Sequence, residues 1–263
     1  MNFSGQINES LLSLPIIHPN WKGLPANVQA FSTTRAGGFS LAPYDNGLGG
    51  GGNNLGDHVG DDIKVVAQNR EILNRFLPED VRFLSQVHGT VVLDAAMLID
   101  TSVGDAVFAT EPNTVCGILT ADCLPVLFAD MKGKVVAAAH AGWRGLAAGV
   151  LQNTLAKMRD SGAEDIVAWM GPAIGPDEFE VGQDVLDAFR LSSRISEKFF
   201  KRRITQDKYV ADIYGLARYI LVKEGVDKLY GGDRCTVTEK AQFYSYRRDG
   251  ITGRMASLIW IAE

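Results

Sequence analysis

Two apolar runs of strand length, set close together, constrain this chain more than any other feature. Leu124-Pro-Val-Leu-Phe-Ala-Asp130 and Val135-Val-Ala-Ala-Ala-His-Ala141 carry almost no polar side chains, and each has the length of one buried strand. Each ends in a metal-competent or nucleophilic group: Cys123 stands just before the first and His140 at the close of the second. Two buried strands therefore deliver a thiol and an imidazole to one edge. Gly142-Trp-Arg-Gly145 then opens a helical pattern through Leu146, Val150, Leu151, Leu155 and Met158. A strand that passes through a glycine turn into a helix N-terminus offers free N–H groups to an anion, and Arg144 adds a charged fork.

The rest of the chain surrounds this pair with both element types. Val28–Thr33 alternates as a strand should, and Arg35 follows at its exit. Val65, Val66, Ile72, Leu73 and Phe76 mark an amphipathic helix with Asp61 or Asp62 near its cap, and Pro78 ends it. Residues 81–89 read as a strand that ends in His88 before a glycine. Further strands are expected at 105–110, 114–120, 166–170, 242–250 and 255–261, with helices at 182–191 and 212–224. Pro15, Pro19 and Pro25 leave residues 1–27 irregular. Adjacent strands mixed with helical crossovers predict an α/β fold, a single domain over 1–263 with a central mixed β-sheet flanked by helices. With 263 residues and 46% hydrophobic content, the chain is long enough to bury such a core.

Charge and cysteine usage exclude several function classes. A formal net charge of −5 argues against a general nucleic-acid or membrane-surface binder. From Lys228 to Arg254, six Lys/Arg face three Asp/Glu, a local basic excess that suits a small anion. Three cysteines at long spacing make no disulfide framework, and no leader-like or membrane-length apolar run is present, so a cytoplasmic protein with reduced thiols is expected. Gly47-Leu-Gly-Gly-Gly-Gly52 satisfies G-x-G-x-x-G, but no strand feeds it and no apolar helix follows directly. A flexible surface loop is the better account.

Among the polar residues at strand ends, His88, Cys123 and His140 form the candidate catalytic and metal-binding set. One thiolate and two neutral imidazoles with an open fourth position suit Zn2+, with Cu2+ as the alternative. The competing account is a buried core cysteine and two hydrogen-bonded histidines. His18 and His58 lie in loops and read as surface residues; Cys116 lies inside an apolar strand and reads as core. Arg35, Arg144 and Arg247 are the candidate substrate- and phosphate-binding residues.

Ser85-Gln-Val-His-Gly89, Thr120-Ala-Asp-Cys-Leu-Pro125, Ala139-His-Ala-Gly-Trp-Arg-Gly145, Gly171-Pro-Ala-Ile-Gly175 and Phe243-Tyr-Ser-Tyr-Arg-Arg-Asp-Gly250 resemble, in this order, the motifs of the YfiH-type family. Its members are described as polyphenol oxidase (laccase domain), as purine nucleoside phosphorylase with adenosine deaminase activity, and as peptidoglycan-editing factor. The resemblance implies a single α/β domain, often dimeric, with the family's metal-binding Cys and two His at Cys123, His88 and His140. It departs from the family at Gly49 to Gly52, which looks like an insertion before Asn54.

The residues help choose among these chemistries. Multicopper oxidation needs many imidazoles, and the chain has four His. The cytidine-type deaminase signatures H-x-E and P-C-x-x-C are absent. Phosphorolysis of an adenosine- or inosine-type nucleoside needs an anion site, charge stabilisation and a stacking surface. Arg144, Arg35, Arg247 and the aromatic Phe243-Tyr-Ser-Tyr246 supply candidates. The alternatives are a Cys–His amide hydrolase acting on peptidoglycan precursors, with Cys123 as nucleophile, a copper-dependent polyphenol oxidase, and a non-enzymatic zinc module with Asp122 as the nearby fourth ligand.

Overall fold

The two apolar runs form an antiparallel pair at the middle of the largest sheet. The computed structural model describes residues 14–193, 197–203 and 207–263. In chain order the first half contains β1 (Ile16–Ile17), β2 (Val28–Thr33), β3 (Ala36–Ser40), α1 (Ile63–Asn74), β4 (Val92–Asp94), β5 (Ala106–Ala109), β6 (Cys116–Thr120), β7 (Leu124–Asp130) and β8 (Val136–Ala141). The second half contains α2 (Trp143–Ala148), α3 (Val150–Asp160), β9 (Ile166–Met170), β10 (Glu180–Val181), α4 (Gln183–Ser193), β11 (Phe200–Arg202), β12 (Tyr209–Ala211), α5 (Ile213–Lys223), β13 (Lys228–Gly231), α6 (Tyr246–Asp249) and β14 (Met255–Ile261).

A six-stranded sheet runs β13-β9-β7-β8-β5-β4. It is mixed: β13 with β9 and β5 with β4 are parallel pairs, the others antiparallel. An antiparallel sheet of order β1-β2-β14-β6 stacks on one face of it, and a small antiparallel sheet, β10-β12-β11, lies beside the helices. The period of two along each strand sorts the side chains between layers. Leu127, Ala129, Val136 and Ala138 meet Cys116, Ile118, Ile259 and Ile261 between the two large sheets. Leu124, Val126, Phe128, Ala137 and Ala139 face the other way, onto Leu151, Leu155, Leu216 and Leu221 of α3 and α5. The outer face of the four-stranded sheet, with Phe31, Leu258 and Trp260, takes Leu73 of α1. Every residue of β7, β8 and β14 is buried, because layers cover them on both sides.

Local chemistry overrides the expected elements in several places. The helix expected after Gly142 is broken at Gly149, whose φ of 105° ends α2 and starts α3; a side chain would strain that left-handed conformation. Residues 81–89 make only a bridge between Ser85 and Val103. The Gln86 side-chain amide takes a strand's place there, donating to the Leu119 carbonyl at 2.8 Å and accepting from the Leu119 N–H at 2.7 Å. Residues 242–250 form no strand: Phe243 and Tyr244 are buried, and Ser245 caps the short α6. The glycine run packs at its far end instead of forming a free loop. A Cβ on Gly52 would meet the Tyr44 carbonyl at 1.9 Å, and one on Gly51 the Gly38 carbonyl at 2.1 Å. Within the expected irregular segment, Ile16–Ile17 pairs with β2, while residues 1–13 lie outside the described residues.

Candidate metal centre and its cleft

Register brings the thiol to the imidazole. Pro125 of β7 lies opposite His140 of β8 and Leu124 opposite Ala141, so Cys123 emerges at the sheet end beside the His140 ring. The third donor comes from the turn before β4. His88 has a φ of 60°, a left-handed conformation uncommon for a residue with a side chain, and its Nε2 lies 3.7 Å from Cys123 Sγ. The ligand atoms of His88, Cys123 and His140 all fall within 4.8 Å of one another, and the two imidazole centroids are 4.7 Å apart.

Asp105, fully buried at the start of β5, supports two of the three. Its carboxylate accepts from His140 Nδ1 at 2.9 Å and from the backbone N–H groups of His88 at 2.8 Å and Gly89 at 2.6 Å. Its carbonyl also accepts from the His140 N–H at 2.7 Å. With Nδ1 engaged as donor, His140 keeps Nε2 for the centre. The glycines of the Gly142-Trp-Arg-Gly145 turn give this loop room: a Cβ on Gly145 would sit 2.6 Å from the Gly89 carbonyl. In the sequence, Asp105 is marked only as a carboxylate opening an apolar strand.

The electrostatics suit a metal ligand set. Burial pushes the Cys123 thiol up, but the charges and hydrogen bonds of His140 and His88 outweigh it and bring it down to about 6. Burial alone lowers His140; the Cys123 thiolate and the Asp105 carboxylate overcome that and raise it. Burial raises Asp105, and its bonds from His140, Gly89 and His88 hold it below the usual carboxylate value. Thiol and imidazoles thus draw one another toward the charge pattern in which a borderline-soft cation takes the place of a proton. One thiolate and two imidazoles fit a single Zn2+ or copper ion.

The centre opens into a cleft of about 250 Å³ lined by His88, Cys123, Asp122, Trp143, Arg144, Ile174, Phe179, Ile213, Tyr246 and Arg247. That volume is near the lower end for small-molecule sites. Arg144 is exposed and stacks 4.5 Å over the Trp143 ring, with no ion pair among the described residues. Arg247 is exposed on the facing wall, 5.7 Å over the Phe179 ring, with one N–H to the Glu178 carbonyl at 3.2 Å. Because α2 has only six residues, the positive field at Arg144 comes from its guanidinium far more than from a helix dipole.

Two expected participants are engaged in other contacts. Arg35 is buried and does not line the cleft: its guanidinium bonds the Asp45 carbonyl at 2.8 Å and the Lys240 carbonyl at 2.9 Å, and stacks on Tyr244. It cross-links two loops. Asp122 is not available as a fourth ligand. Its φ is 88°, and its oxygens accept from Thr236 Oγ1 and the Arg247 N–H, both at 2.6 Å. His18 and His58 are exposed, and Cys116 is buried in β6, as expected.

A family model described as multi-copper polyphenol oxidoreductase laccase matches residues 29–262. Escherichia coli (strain K12) purine nucleoside phosphorylase YfiH is 49% identical over 250 residues, which span 94% of this chain and 98% of that protein. The chain belongs to the YfiH family. A Haemophilus influenzae purine nucleoside phosphorylase is 47% identical over 93% of this chain and 98% of its own length. Among solved structures, a Neisseria meningitidis DUF152 protein superposes with a TM-score of 0.86 at 48% identity, covering 94% of this chain and 99% of that one. YlmD from Geobacillus stearothermophilus superposes with a TM-score of 0.80 at 32% identity, covering 96% and 99%. The family match takes in all three donors of the centre. Among the described residues, no helix is long and apolar enough to cross a membrane.

Proposed function

We propose that this protein is a purine nucleoside phosphorylase of the adenosine and inosine type, acting in the cytoplasm through a zinc centre at His88, Cys123 and His140. One observation carries the reading: three convergent donors open on a cleft whose walls hold two exposed arginines and aromatic faces. The names of full-length relatives at 47% and 49% identity support it. In phosphorolysis a phosphate oxygen bonds to C1′ of the ribose as the bond from C1′ to the base nitrogen breaks, and the base leaves with that electron pair and takes up a proton. Arg144 and Arg247 hold the phosphate by charge-assisted hydrogen bonds and aim its oxygen. Phe179, Tyr246 and Trp143 supply ring faces for the base, and the apolar Ile174 and Ile213 thin out water around it. When bound, the ion supplies a Lewis acid that polarises an oxygen in the cleft.

The donor set argues against the other readings of the family name. The chain has four histidines, and with His18 and His58 exposed elsewhere, the described residues hold one three-donor group and no second site for a multi-copper array. With Asp122 committed to Thr236 and Arg247, the centre keeps the open position of a catalytic site, against a closed zinc module. The Cys–His amide hydrolase stands as the second reading, on one observation: Cys123 Sγ and the imidazole nitrogens lie within 4.8 Å of one another, so a thiol nucleophile has a base beside it.

The test is chromatography of adenosine and inosine incubated with zinc-loaded protein, with and without phosphate. Free base and ribose 1-phosphate formed only with phosphate is the expected result. Base release without phosphate indicates hydrolysis, conversion of adenosine to inosine reports the deaminase activity that the family resemblance implies, and no turnover of either nucleoside overturns the proposal.

A further inference from the structure

We propose that Asp105 is the positioning residue of the centre, one carboxylate that holds two of its three ligands in place before any ion arrives. The inference rests on the His88, Cys123 and His140 metal centre and is independent of which reaction that centre serves. Oδ1 accepts both from His140 Nδ1 at 2.9 Å and from the His88 N–H at 2.8 Å. Oδ2 accepts from the Gly89 N–H at 2.6 Å and the Val87 N–H at 3.3 Å. Four donors thus converge on a carboxylate that no solvent reaches. The Asp105 main chain repeats the link, its carbonyl taking the His140 N–H and its N–H donating to the Val91 carbonyl at 3.0 Å.

Each contact has a separate consequence. The bond to Nδ1 selects the tautomer that presents Nε2 to the cleft, and also sets the ring's rotation. The bonds to three successive N–H groups hold residues 87–89 in a tight turn, which is why His88 keeps its left-handed φ of 60° and why the expected strand fails to form. Cys123 is placed separately, by β7 and by the anchored Asp122. Removing Asp105 therefore disorganises the histidine donors and leaves the thiol in position.

Two measurements test this. In the metal-free parent protein, amide hydrogen exchange at His88 and Gly89 should be slow, because Asp105 already holds those N–H groups. Exchange at unstructured-chain rates that slows only on adding zinc overturns the proposal. In Asp105→Asn, one carbonyl oxygen must serve four donors, and the zinc dissociation constant, read by competition with a chromophoric chelator, should rise by about 10–100-fold. Nitrogen NMR of the zinc-loaded parent should show His140 protonated at Nδ1, a signature that a purely structural role would not require. A folded Asp105→Asn protein with parental zinc affinity, even at a lowered melting temperature, refutes the positioning role. Should that variant not fold, the exchange and NMR measurements on the parent decide the question. Loss of phosphorolysis in assays has no bearing on any of these readouts.

Discussion

Gly142 sits so close to His88 that a Cβ built on it would lie 2.7 Å from the imidazole Cδ2 and 3.1 Å from Cys123 Sγ. The turn after β8 is therefore in contact with two of the three donors, and its lack of a side chain is part of the site's shape. Gly142→Ala should displace the His88 ring, because neither the sheet end nor the Asp105-bound turn can yield easily. We expect loss of bound zinc and a fall in kcat of about 100-fold, the scale of an ångström-sized misplacement at a reacting centre. Zinc content by atomic emission and a steady-state assay check it; full occupancy with parental turnover would show that the neighbours give way freely.

Cys123 separates the phosphorylase reading from its hydrolase rival. As a metal ligand its lone pairs are committed to the ion, so iodoacetamide should label it slowly in zinc-loaded protein and much faster after chelation. Peptide mass spectrometry reads the rate at Cys123 alone, with Cys116 buried in β6 as an internal control. Labelling that is rapid in both states would promote the amide hydrolase.

Arg144 has no anionic partner among the described residues and faces the cleft, so its role should be specific to phosphate. Arg144→Ala should raise KM for phosphate about ten-fold or more, the loss of one charge-assisted contact, with a smaller change for the nucleoside. Equal effects on both substrates would mean that it shapes the cleft instead.

Arg35 should behave in the opposite way. Its guanidinium is buried against the carbonyls of Asp45 and Lys240, so Arg35→Ala should cost about 2–3 kcal/mol of stability. Urea unfolding measures this, and KM for phosphate in the folded variant should stay at the parental value. A selective rise in that KM with unchanged stability would reverse the assignment.

The sequence by itself determined the framework. Apolar runs of strand length without alternation, bounded by turns, read as strands covered on both faces, and β7 and β8 form with the thiol at one end and the imidazole at the other because side-chain period and turn position are local properties. The same local rules found β14, α1, α4, α5 and the loop positions of His18 and His58, and the ordered motifs pointed to the family. What only the tertiary structure decided is non-local. His88 meets Cys123 from 35 residues away, and the carboxylate of Asp105 bends residues 87–89 out of the strand that their pattern predicts. Arg35 and Arg144 are alike in the sequence, each beside the end of a strand. One turns inward and bonds the carbonyls of Asp45 and Lys240 in two loops, and the other is left over a tryptophan at the cleft. Hydrogen-bond demand at each site sets that choice, and the demand exists only once the chain has closed around it.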